Sequence, residues 1–310
     1  MPRYEEGLVV FVDIQGMRAL TEFDKKLDLH QTFHDQAART EAREKLMPTR
    51  TLKRRVLSFS DCAYFVYTWN ERASEERKSS PLPLLEALPT MLILVQILMN
   101  KGYWIRGGAT YGEVFLDQYG AFGPAIEKAY EIESSKAFYP RIMLEGELGE
   151  RLYTFQNEQR SRMPDVVKNS LAKQVVIKKD EHSYYVNSFA GLDAYGIIEG
   201  ETLEWGSFFP VALKKCESVA SQRICNKDGT LDEKKTSELY RKSEWLKEEL
   251  YSEDNLIKGL VEPEDDFLNK LNLLAGLAET TTDPKEIALL TAMGIDVAAM
   301  QANKNGASGE

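Results

Sequence analysis

Apolar positions in the first half of the chain fall in short unbroken runs, and in the second half in spaced stripes among charges. Leu8–Ile14 is one such run, mostly β-branched and aromatic, the pattern of a strand buried on both faces. Gly16 punctuates it. Residues 17–47 are charged and hold no Pro or Gly, with Leu20, Phe23, Leu27 and Leu46 among their apolar positions. This predicts a long helix, closed by Pro48. Arg54–Ser60 and Ala63–Trp69 are β-rich runs with only Asp61-Cys62 between them, a hairpin signal that puts Asp61 at the turn. Asn70–Pro83 reads as loop. Leu84–Lys101 reads as an apolar helix packed on the sheet and ended by Gly102. Trp104–Phe115 is a strand containing Gly107, Gly108 and Gly112, and glycines inside a strand mark close approach by another group. Gly123-Pro124 starts a helix to about Ala137. Pro140–Leu144 is a further strand, and Gln174–Lys178 with Ser183–Ser188 forms a late hairpin.

The order β-α-β-β-α-β predicts an α+β fold with a ferredoxin-like core, a palm-like antiparallel sheet with helices on one face. The core is placed at 1–195. The segment 196–310 is expected to be a mainly helical extension: Leu231–Leu260 and Phe267–Ala278 are charged and helix-like, Asp283-Pro284-Lys285-Glu286 is a helix start, and Gly294 a stop. The last residues, NKNGASGE, read as a loose tail. Trp205–Pro210 reads as an aromatic seam between core and helices.

Composition narrows the partners. The 310 residues carry a formal charge of −10, which speaks against a nucleic-acid backbone as ligand. Three cysteines, Cys62, Cys216 and Cys225, have neither disulfide-framework nor zinc-site spacing, in keeping with a reducing cytoplasm. The N-terminus lacks the basic and apolar regions of a signal peptide. The apolar run Met91–Met99 is shorter than the ~20 residues a bilayer requires, so no membrane association is expected. His30 and His34 stand four residues apart without a third ligand, which argues against a metal pair.

Candidate chemistry lies at Asp13 and Asp61. Each follows an apolar strand, and neighbouring strands would bring both carboxylates to one edge of the sheet. Hard divalent cations take oxygen ligands, commonly one or two carboxylates completed by substrate phosphates. Two cations so held suit attack at the α-phosphorus of a triphosphate.

Four blocks, in order over residues 8–141, carry a resemblance. Phe11-Val12-Asp13-Ile14-Gln15-Gly16 resembles the F-x-D-I-x-G motif that opens class III nucleotidyl cyclases. Phe59-Ser60-Asp61 resembles the second metal motif of that family. Ile105-Arg106-Gly107-Gly108 through Gly112-Glu113-Val114 resembles its R-x-G-x-x-x-G-x-V strand. Phe122-Gly123-Pro124-Ala125, followed by Ala129-Tyr130-Glu131, stands where its transition-state helix begins. The resemblance implies cyclisation of a nucleoside triphosphate with loss of pyrophosphate. It implies two divalent metal ions, Mn²⁺ or Mg²⁺, on Asp13, Asp61 and the carbonyl of Ile14. It places backbone N–H groups near Gly16 against phosphate at a helix start, and Arg106 against the triphosphate.

The pattern also departs from purine cyclases. The base-reading Lys or Glu of that family falls at Leu57, and its Asp or Cys partner at Gly120, neither of which reads a purine edge. Arg55 shares a strand face with Leu57 and is either a donor to a carbonyl-rich base or a surface residue. The family's helix Asn and Arg fall at Glu127 and Glu131, which donate nothing while ionised. Either Arg141, Lys128 or Lys136 substitutes, Arg141 by preference, or the domain is inactive. With Tyr139-Pro140-Arg141-Ile142 after the helix, the chain resembles the pyrimidine cyclases of bacterial Pycsar anti-phage systems. That resemblance implies a cytoplasmic homodimer with active sites across its interface, converting UTP to cyclic UMP, or CTP to cyclic CMP. The product would act on a separate effector protein. A cyclase-fold nucleotide sensor without turnover is the alternative. A diguanylate-cyclase palm is disfavoured because Ala109 and Thr110, not acids, follow Gly107-Gly108.

Overall fold

The computed structural model describes residues 3–16, 22–46, 51–162, 175–190, 205–226 and 228–250, with positions 281 and 287. Strand β1 (Glu5–Ile14) runs through the centre of the sheet. It pairs antiparallel with β3 (Cys62–Trp69) on one side and β4 (Ile105–Leu116) on the other. β2 (Leu52–Phe59) pairs antiparallel with β3. Helix α1 (Phe23–Leu46) joins β1 to β2, and α3 (Leu82–Asn100) joins β3 to β4. The strand order β2-β3-β1-β4 with these crossovers is the expected ferredoxin-like βαββαβ arrangement. The sheet then continues through β6 (Ile142–Leu144), parallel to β4, to β8 (Tyr184–Val186) and β7 (Ile177–Lys179). A short β5 (Ala121–Phe122) pairs with the end of β4. The fold is α+β with a mixed sheet.

Alternation along β1 sorts its side chains to two faces. Leu8, Val10, Val12 and Ile14 pack with Leu29 and Phe33 of α1 and with α3. Val9 and Phe11 face the other way, toward α4 (Pro124–Lys136), and pack with its Ala125 and Ala129. α3 is buried nearly all round, from Leu84 to Met99. Its 19 residues would reach across a bilayer by length and composition, but its apolar surface is used on the sheet. Each such fully buried side chain contributes roughly 1.5–3 kcal/mol.

The structure corrects the expected elements in places. The hairpin turn is Ser60-Asp61 rather than Asp61-Cys62, because Cys62 pairs with both Phe59 and Asp13. The stretch read as loop holds a short helix, α2 (Glu75–Ser79), whose Ser74 hydroxyl accepts from the Arg77 N–H. Helix α5 (Gly146–Ser161) was not anticipated; helix α6 (Trp205–Ala220) begins at the stretch read as an aromatic seam, within the segment expected to be mainly helical. Helix α7 spans Glu233–Leu250. One compact unit comprises Met1–Ile257 and a second Lys258–Glu310. The helix expected at 267–278, the start at 283, the stop at Gly294 and the tail lie outside the described residues.

Candidate active site

The face of the sheet under α4 holds several of the residues singled out above. Asp13 shares it with Val9 and Phe11, since the three alternate on β1. Cys62, Tyr64 and Val66 of β3 and Leu57 of β2 pack into the same cluster, and Arg55, two residues before Leu57, shares their face. Asp13 stands opposite Cys62 on one neighbour and opposite Arg106 on the other. Asp61 occupies the turn between β2 and β3, and its carbonyl accepts the Ile14 N–H at 3.0 Å. Register therefore brings Asp13 and Asp61 to one end of two paired strands. The thiol of Cys62 is pushed up to about 12, first by burial and then by the charges of Asp61, Asp13 and Glu133.

The turn has its own local cause. Ser60 has φ of 54°, positive at a non-glycine residue. This conformation costs a non-glycine residue about 1 kcal/mol and sits beside the second aspartate. Gly16, just past β1, also has positive φ (88°). The N–H of Gln15 before it is engaged by the Trp104 carbonyl at 2.8 Å, and α1 is described from Phe23.

Arg106 links two carboxylates. Its Nε lies 3.2 Å from Asp13 Oδ2 and 2.5 Å from Glu133 Oε1. The N–H is directed at Asp13, while Glu133 Oε1 accepts no hydrogen bond among the described residues. The Glu133 contact is therefore charge against charge without alignment. Glu133 is only 3% exposed. Burial pushes its carboxyl above the usual range, Arg106 draws it part of the way back, and Asp13 raises it again. The sequence reading missed Glu133, although a signal exists: it continues the four-residue spacing of Ala125 and Ala129, the stripe α4 turns to the sheet. Glu127 and Glu131, the family's donor positions, are exposed on the opposite side of the helix, and Glu131 pairs with Lys128 at 3.0 Å.

The remaining residues are placed as follows. Leu57 is partly buried against the α4-face cluster. Gly120 lies in a turn closed by Asp117, whose carboxylate accepts from the N–H groups of Tyr119 and Gly120. Nothing lies within 4 Å of where a Gly120 Cβ would stand. Arg55 Nη2 reaches the Gln118 carbonyl at 3.4 Å, so the Leu57 strand and the Gly120 loop are bridged. Arg141 is buried, its Nη1 2.8 Å from Asp180. Its guanidinium lies over the rings of Tyr185, Tyr139 and Trp245 at 4.5, 5.4 and 5.4 Å. It is engaged there, not extended as an open donor.

Asp13, Asp61 and main-chain carbonyls are hard oxygen donors, the kind Mg²⁺ and Mn²⁺ take. Among the described residues no three His, Cys, Asp or Glu side chains are grouped to chelate a metal. The residues present fit a two-carboxylate site, whose coordination phosphate oxygens and water must complete.

Solved structures similar to this chain are guanylyl and adenylyl cyclase domains. The guanylyl cyclase domain of a RhoGC fusion protein from the aquatic fungus Blastocladiella emersonii is 18% identical with a TM-score of 0.36, over 59% of this chain and 95% of that one. The guanylate cyclase domain of RhGC from Catenaria anguillulae, solved with GTP, is 17% identical with a TM-score of 0.35, over 59% and 96%. A bacterial light-regulated adenylyl cyclase is 14% identical with a TM-score of 0.36, over 69% and 59%. No protein-family model and no curated protein matches the chain.

Proposed function

We propose that this chain is a nucleotidyl cyclase acting on a pyrimidine triphosphate, UTP in preference to CTP. The observation that carries the reading is the register that sets Asp13 and Asp61 at one end of adjacent strands, beside Arg106. In the reaction the ribose 3′-hydroxyl gives its proton to water and forms a bond to the α-phosphorus. The bridging α–β bond breaks, and pyrophosphate leaves. Divalent cations, when bound, supply charge neutralisation and acidify the attacking hydroxyl. Asp13, Asp61 and the Ile14 carbonyl would hold them. Arg106, released from Asp13, turns its guanidinium to phosphate oxygens, and backbone at Gly16 meets the same group. Leu57 and Gly120 leave the base region without the side chains that read a purine, and Arg55 donates to a pyrimidine carbonyl.

The homodimer with composite sites belongs to the same reading. It is supported by Phe59 and Tyr130, which are 58% and 54% exposed and continue the α4-face aromatic cluster through Tyr64 and Phe11. A cytoplasmic location fits three free cysteines. A cyclic product acting on a separate effector in anti-phage defence follows from the Pycsar resemblance.

Incubating the full chain with each of the four triphosphates and Mn²⁺, with mass spectrometry of the products, tests the proposal. Cyclic UMP or cyclic CMP is expected, and Asp13→Asn or Asp61→Asn should lower the rate at least ~10²-fold. Cyclic AMP or cyclic GMP as the main product overturns the pyrimidine assignment. The second reading, a sensor without turnover, draws on Glu127 and Glu131 facing away from the sheet. It predicts triphosphate binding with no pyrophosphate released.

A further inference from the structure

Arg106 and Gly108 alternate onto the α4 face of β4. Gly108 lets the helix backbone close on the strand, since a Cβ there would lie 2.7 Å from the Glu133 nitrogen. That approach sets the Glu133 carboxylate against Arg106 and leaves its backbone no room to retreat. The guanidinium therefore stands between two carboxylates in different surroundings. Asp13 is partly open to solvent at the end of β1, and is the one the proposed reaction gives to a cation. Glu133 is 3% exposed. Among the described residues Asp13, Asp61 and Glu133 are not grouped to chelate one ion, so Glu133 does not read as a third ligand.

Arg106 Nε carries a single proton. It lies 3.2 Å from Asp13 Oδ2 and is directed there. Glu133 Oε1 stands 2.5 Å from the same nitrogen, buried and accepting no hydrogen bond among the described residues. A second acceptor is thus in place that the Nε–H does not use. The two terminal nitrogens of Arg106 donate no hydrogen bond to any described residue, and its side chain is 32% exposed. A divalent cation on Asp13 would repel the guanidinium. A small rotation would then carry the Nε–H from Asp13 to Glu133 and leave neither group without a partner. We propose that Glu133 is a positioning residue for Arg106: as Asp13 turns to a cation, Glu133 Oε1 takes over the Nε–H and holds the guanidinium with its terminal nitrogens toward the phosphates. Glu133 itself touches neither phosphate nor ion. An ion pair so deeply placed adds little stability over an apolar pair of the same size; what it adds here is a fixed second acceptor.

The inference rests on the nucleotidyl-cyclase reading, and its test separates the two. Full-length parent, Glu133→Leu, Glu133→Gln, Arg106→Met and the double variant Arg106→Met/Glu133→Leu are titrated with 3′-deoxyuridine triphosphate in Mg²⁺, and melted to compare folding. Glu133→Leu should weaken the ligand roughly 10-fold, and Glu133→Gln, which keeps an acceptor oxygen, should recover part of the loss. With Arg106 already replaced, Glu133→Leu should change affinity little. Nitrogen-15 NMR of arginine-labelled protein gives a readout that does not need the Arg106 variants to fold. On adding Mg²⁺ and the triphosphate, the Arg106 Nε–H signal should shift and stay protected from solvent exchange in the parent, and be lost to exchange in Glu133→Leu. A folded Glu133→Leu that binds as the parent does, with its Nε–H still protected, overturns the assignment of Glu133 and leaves the cyclase reading standing. A 10-fold loss that persists without Arg106 also overturns it, because Glu133 would then act by another route. A parent that neither binds the triphosphate nor cyclises one overturns both.

Discussion

Arg106 is the residue on which the charge balance of the candidate site turns. Glu133 is almost wholly buried, and a buried carboxylate without its cation is strongly unfavourable. Replacing Arg106 with Met removes the guanidinium that stands between Glu133 and Asp13. Urea denaturation should show a loss of about 3 kcal/mol. Adding Glu133→Gln removes the stranded charge, so the double variant should be more stable than Arg106→Met alone, with a coupling of about 1 kcal/mol or more. Strictly additive effects would mean that the 2.5 Å approach of the two groups has no energetic content. At this scale Asp13, Asp61 and Arg106 were legible because each falls at the end of a strand whose pattern is unambiguous. Glu133 was not, because a helix carrying Glu127, Glu131 and Glu133 shows which glutamate is buried only once its small-residue stripe is matched to Gly108. The commitment of Arg141 to Asp180 was likewise out of reach, since it joins positions 141 and 180 across separate strands.

Among the elements, α4 depends on what β4 leaves out. A Cβ on Gly108 would lie 2.2 Å from the Ala129 carbonyl oxygen and 2.7 Å from the Glu133 nitrogen. Both contacts are helix backbone and cannot be relieved by a rotamer change. Gly108→Ala should therefore lift α4 from the sheet, lower stability by roughly 1–3 kcal/mol, and disturb the Arg106–Glu133 contact. Thermal melting checks the first effect and activity the second; a variant melting with its parent would show that the helix yields freely. The glycines of β4 announced a close approach from sequence, though not which element approached. Helix α5 gave less: its buried positions are only Leu148, Gly149, Leu152 and Gln156. One of these is a glutamine whose amide serves the backbone of Val176 and Ile177, so its apolar stripe is too thin to register. The β7–β8 turn makes a pH-dependent element. Burial acts to raise the Asp180 carboxyl, but Ser183, Arg141 and the His182 N–H outweigh it and hold the group below its usual value. A depressed carboxylate stabilises the fold above its unfolded pKa, and that stabilisation is lost as pH falls through the folded value. Asp180→Asn should be less stable than the parent at pH 7, with the gap closing below about pH 4. A gap constant down to pH 2 would exclude ionisation as its origin.

At the scale of the whole unit, the question is whether α6 and α7 are an appendage or part of what folds. Both lie within the compact unit Met1–Ile257, which also holds position 196, where the sequence passes from strand runs to charged, helix-like stretches. Chain composition changes there, but contacts do not stop. Lys178 and Glu249, 71 residues apart, form an ion pair in which both side chains are largely buried. Tyr139, Tyr185 and Trp245 surround Arg141 with rings from three parts of the chain. Removing the Glu249 carboxylate takes away the buried ion pair with Lys178 and the acceptor of the Tyr185 hydroxyl. The phenol of Tyr185 is already held far above its usual range, first by burial and then by Glu249. Glu249→Ala should therefore cost about 3 kcal/mol. If α7 folds with the core, that loss moves one cooperative transition down by roughly 5–10 °C. Far-UV circular dichroism and near-UV signal should then shift together. Two separated transitions, with the upper one at the parent's temperature, would show that the helices melt by themselves.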